Sequence, residues 1–78
     1  MPITQYKQID FFEKQAEDAY QRMFDASSAS DATARYSDAK EALYSGIRLA
    51  RELGDAARAN QLEMRLSEIK AVFRSQFS

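Results

Sequence analysis

With no cysteine and no histidine in 78 residues, disulfide staples, the commonest general base and the commonest metal ligand are all missing before any pattern is read. A core this small supplies only roughly 3 to 5 kcal/mol of net stability, so regular helix packing or self-association has to support the single domain that the length allows. A formal charge of −1 gives no strong field for nucleic acid or an anionic membrane, while 45% hydrophobic and 29% charged residues place the chain in the globular range. Two glycines and one proline are too few breakers for anything but long helices joined by short turns.

The first helix is expected over about residues 4–26, with Pro2 where a helix can begin and Thr4 as its N-cap. Ile9, Phe12, Ala16, Ala19, Tyr20 and Met23 fall on one stripe at 100° per residue. Asp10 with Lys14, and Asp18 with Arg22, are acid-before-base pairs four apart on the outer side. Phe11 points away from the stripe, and Tyr6 and Phe24 lie on its flank.

The polar run Asp25 to Asp31 is the first turn. Ser28, in a capping box with Asp31, or Ser30 is the N-cap of a second helix over about residues 31–53. Its seam runs through Ala32, Tyr36, Ala39, Leu43, Gly46, Ile47, Ala50 and Leu53 in heptad-like steps. Ala32, Ala39 and Gly46 stand seven apart on one line, and such a line of small residues lets a neighbouring helix come close. Glycine inside a helix costs about 1 kcal/mol against alanine, so Gly46 is expected to face a neighbour rather than solvent.

Leu53-Gly54-Asp55 reads as a left-handed stop at Gly54 and an immediate N-cap at Asp55, forcing an antiparallel hairpin. The third helix, about residues 55–77, carries Ala59, Leu62, Leu66, Ile69, Phe73 and Phe77 on one stripe. Val72 sits at its edge, and Met64 and Ala71 lie on the opposite side. The bulky stripe is expected to complement the small line of the second helix. The fold class is therefore all-α, a three-helix bundle.

Function is far less constrained. Glu13 with Glu17, and Asp38 with Glu41, are adjacent carboxylates of the kind that ordinarily form solvated surface. Gly46 and Gly54 build no phosphate loop or nucleotide fingerprint, so neither cofactor nor metal is expected and the chain does not read as an enzyme. The leading expectation is a protein-interaction module that binds a protein partner or itself, a homodimer being one such form, with Phe11, Phe24, Tyr44 and Met64 as candidate contacts. The alternative is a small nucleic-acid-binding regulator using Arg51, Arg58 and Arg65, which interspersed acids and a pI near 5.3 disfavour. Residues up to Ala34 are predominantly acidic and those from Arg35 onward slightly basic, so the two parts are expected to attract each other. Met1 to Gln8 lacks the apolar core of a secretory signal and no apolar run approaches a membrane span, which makes a cytoplasmic location the default expectation.

Tyr36-x2-Ala39-x3-Leu43-x2-Gly46-Ile47, followed by Leu49-Ala50-Arg51-Glu52-Leu53-Gly54-Asp55, resembles the second helix of a tetratricopeptide repeat and its exit into the next repeat. The resemblance covers about a third of the chain. Upstream, the serine-rich loop stands where the repeat's first-helix aromatic, leucine and glycine belong, and no proline closes the unit. What the resemblance implies is a helical hairpin used for binding protein, with no catalytic residues to carry over.

Overall fold

The computed structural model describes residues 2–77, with side chains from residue 5 onward. Three helices account for nearly all of it: α1 (Pro2–Phe24), α2 (Ala29–Glu52) and α3 (Ala56–Gln76). No strand occurs among the described residues. The first helix starts earlier than its expected cap, with Pro2 in the first turn, where a missing N–H costs nothing. Thr4 is thus inside the helix, and its side chain lies outside the described residues.

Local chemistry sets the two turns. α1 closes with Asp25 N–H and Ala26 N–H donating to the carbonyls of Arg22 and Met23, two residues before the expected end. Ser28, in extended backbone, is the N-cap of α2, its hydroxyl oxygen accepting from Asp31 N–H at 3.1 Å. That decides between the two serines, and Ser30 falls inside the helix. At the other end, Gly54 has φ +76°. Its N–H donates to Arg51 and Asp55 N–H donates to Ala50, the two-bond closure that left-handed glycine permits. Asp55 then caps α3 by accepting from Arg58 N–H at 3.0 Å.

α2 lies between the other two and is antiparallel to both, so α1 and α3 run parallel. The bundle is long and thin, with extents of 42 × 19 × 13 Å. Its radius of gyration of 13.1 Å exceeds the roughly 11.5 Å of a rounded domain of this length. A thin body has a thin core: Ile9, Met23, Leu43, Leu62 and Ile69 are its large fully buried side chains, and alanines from all three helices fill the rest. No charged or polar residue is buried among those described.

At Gly46 the small line of α2 meets α3, as expected, and α1 as well. A Cβ placed on Gly46 would stand 3.2 Å from Leu62 Cδ1 of α3 and 3.5 Å from Phe12 Cβ of α1. Gly46 thus sits under both helices. The closer backbone approach, however, runs along α1 and α2, where Ala16 and Ala19 on one side and Ala39 and Ala42 on the other are all buried. Small residues on both partners shorten the distance between axes, whereas α3 offers α2 leucine and isoleucine and stands farther off.

Candidate protein-contact surface

α1 and α3 meet through long side chains rather than through their backbones. Arg58 Nη2 donates to Asp10 Oδ1 at 2.6 Å and to Glu13 Oε1 at 2.7 Å. One heptad further on, Arg65 grips Glu17 with two parallel bonds, Nε to Oε2 at 2.7 Å and Nη2 to Oε1 at 2.8 Å, and reaches Glu68 at 3.1 Å. Asp10 to Arg58 and Glu17 to Arg65 share a sequence offset of 48, as parallel helices in constant register require. The acidic and basic parts of the chain are joined here, and Asp10 turns to the neighbouring helix.

Both guanidinium groups are held above the ordinary arginine value. Arg58 is raised chiefly by its hydrogen bond to Asp10, with Glu13 adding to it and partial burial opposing. Arg65 is raised chiefly by Glu17, again against partial burial. A raised folded-state value contributes stability that is complete below the unfolded arginine value and is lost only as pH climbs through the folded one. The arginine half of the seam therefore stays charged at any usable pH.

Beyond the ion pairs the seam ends in aromatic rings. Tyr20 packs edge-on to Phe24 at 5.2 Å, Phe24 on Phe77 at 5.5 Å, Phe77 on Phe73 at 5.7 Å, and Phe73 stacks on Tyr36 at 3.9 Å. Arg65 and Lys40 lie over the Tyr20 and Tyr36 rings at 4.8 and 4.4 Å. The sequence placed Tyr20, Tyr36, Phe73 and Phe77 on inward stripes but gave no sign that they meet. Their signal was position: the rings of α1 and α3 sit near the C-terminal ends of two helices that prove to be parallel.

The four candidate contacts do not gather into one patch. Phe11 is 60% exposed and touches Phe12 edge-on at 5.9 Å. Its neighbour Phe12, not Phe11, lines an open trough of about 510 Å³ between α1 and α2, together with Asp18, Arg22, Arg35 and Asp38 among others. Phe24 belongs to the row of rings and is still 48% exposed. Tyr44 lies at the α2–α3 edge with Lys70 Nζ 5.7 Å from its ring centre. Met64, the most exposed at 67%, stands on the outer face of α3 near Gln61 and Glu68.

Of the alternative nucleic-acid contacts, Arg58 and Arg65 are ion-paired to carboxylates of α1, and Arg51 pairs with Glu63. Among the described residues no helix is long and apolar enough to cross a membrane. No group of three or more Asp or Glu side chains among them is arranged to hold a metal ion.

No protein-family model matches the chain, and no similarity to a curated protein or a solved structure was found. The class that can be stated is an all-α three-helix bundle.

Proposed function

We propose that the chain is a non-enzymatic protein-interaction module that associates with itself, with α2 and α3 as a tetratricopeptide-like hairpin. The observation that carries the reading is the distribution of large apolar side chains. Every helix of a body with a thin core leaves at least one in solvent: Phe11 and Phe24 on α1, Tyr44 on α2 and Met64 on α3. Methionine and aromatic residues are enriched where proteins meet, and exposing them costs solubility unless a partner covers them. Sedimentation equilibrium tests the self-association: a concentration-dependent rise in average mass is expected, and a strict monomer into the millimolar range would sink it.

The nucleic-acid reading ranks second because its arginines are engaged by Asp10, Glu13, Glu17 and Glu63. Phosphate binding would have to displace these carboxylates. Titration of mixed DNA and RNA at low salt is expected to give no complex; a complex that dissolves as salt rises would reverse the ranking.

A further inference from the structure

Among the exposed residues described on α3, only Glu68 and Arg74 are charged. Glu63 and Arg65 are part-exposed and ion-paired to Arg51 and Glu17, whereas α1 exposes Lys7, Asp10, Lys14, Asp18 and Arg22, and α2 exposes Asp38, Glu41, Arg48, Arg51 and Glu52. The outermost line of α3 is Ala57, Met64 and Ala71, seven residues apart, all exposed. Asn60 and Ser67 flank it on one side, Gln61 and Glu68 on the other, and all four are exposed too. An uncharged centre holding the most exposed methionine, with a polar rim, is the make-up of an interface core.

We propose that the occupant of this face is the same face of a second copy, packed antiparallel about a two-fold axis at Met64. The proposal rests on the self-association reading and names its surface. The pattern itself selects this occupant, because it matches its own reverse. A two-fold at Met64 sets Met64 against its symmetry mate and lays Ala57 beside Ala71 of the second copy, small against small, so the axes can approach closely. The same rotation brings the Gln61 amide to the second copy's Glu68 carboxylate and Asn60 to its Ser67. Every rim group thereby meets a donor or acceptor, and no like charges oppose. A parallel arrangement would instead set Glu68 against Glu68. α3 is about 31 Å long, which confines the contact to the low end of specific interfaces, on the order of 1,000 Å² in total. The dimer is accordingly weak, and Leu62 and Leu66 stay buried inside their own bundle.

The absence of native cysteine makes the geometry directly testable by oxidation of single-cysteine variants. Met64→Cys is expected to cross-link rapidly. Ala57→Cys and Ala71→Cys are expected to cross-link only when mixed, because in the antiparallel pair each lies roughly 21 Å along the axis from its own mate. Met64→Lys is expected to weaken the dimer at least tenfold in sedimentation while leaving helicity by circular dichroism unchanged. Rapid cross-linking of Ala57→Cys alone overturns the antiparallel arrangement. A wild-type dimer that Met64→Lys leaves intact overturns this surface but not self-association, whereas a wild-type monomer at every concentration overturns both.

Discussion

α1 has two neighbours and meets them by different physics. Against α2 it presents Ala16 and Ala19, buried beside a helix that buries Ala39, Ala42 and Gly46. There the backbones themselves are close, and stability comes from steric packing. Against α3 it presents Asp10, Glu13, Glu17, Tyr20 and Phe24, and the space between axes is bridged by arginine forks and rings. Steric complementarity is intolerant of added volume and indifferent to salt. A bridge of half-exposed ion pairs tolerates change and weakens as salt screens it. One helix thus holds a rigid hairpin on one side and a softer seam on the other.

Substitutions at the two interfaces should separate these behaviours. The largest effect is expected from Gly46→Leu, which forces a side chain between Phe12 and Leu62 and should cost about 1 to 3 kcal/mol in urea unfolding. An unchanged midpoint would mean that the hairpin is not close-packed. Phe73→Leu, which removes the stacking partner of both Tyr36 and Phe77, should cost about 1 kcal/mol. Its loss should not change when salt is raised, since rings rather than charges are removed.

A smaller loss, about 0.5 to 1 kcal/mol, is expected for Arg65→Met, because Glu17 is near enough to solvent to rehydrate once its partner is gone. This loss should shrink between low and high salt. A salt-independent loss would assign the seam to packing instead. The smallest effect belongs to Gly46→Ala. Its methyl group would press on the mobile end of Leu62, while helix propensity gains about 1 kcal/mol. Near-cancellation is expected, with a measured change within about 0.5 kcal/mol of zero.

Much of this architecture is local and was legible in the residues. The Ser28 hydroxyl and the Asp55 carboxylate cap the helices that follow them, and Gly54 turns left-handed, because each effect involves atoms only a few residues apart. The inward stripes were legible for the same reason: helical periodicity alone decides which residues share a face. That Gly46 would be covered also followed from the cost of an uncovered glycine in a helix.

The pairing of the stripes was not legible. The sequence set the small line of α2 against α3, and Gly46 does lie under Leu62, but the closer backbone approach is to α1, whose own alanines shorten that distance. The opposite charges of the two parts were visible, yet the offset of 48 that joins Asp10 to Arg58 and Glu17 to Arg65 depends on how α1 and α3 settle against α2. The row of rings likewise exists only once those two helices run parallel. Among the contact candidates, the sequence named Phe11, Phe24, Tyr44 and Met64, and all four are exposed. Only the tertiary structure separated them onto different surfaces and revealed that the one on α3 lies on an uncharged line, Ala57, Met64 and Ala71, bordered by Glu68 and Arg65. Capping, turns and periodicity are fixed by neighbours along the chain; which faces meet is fixed by volume and register, properties of the three helices together.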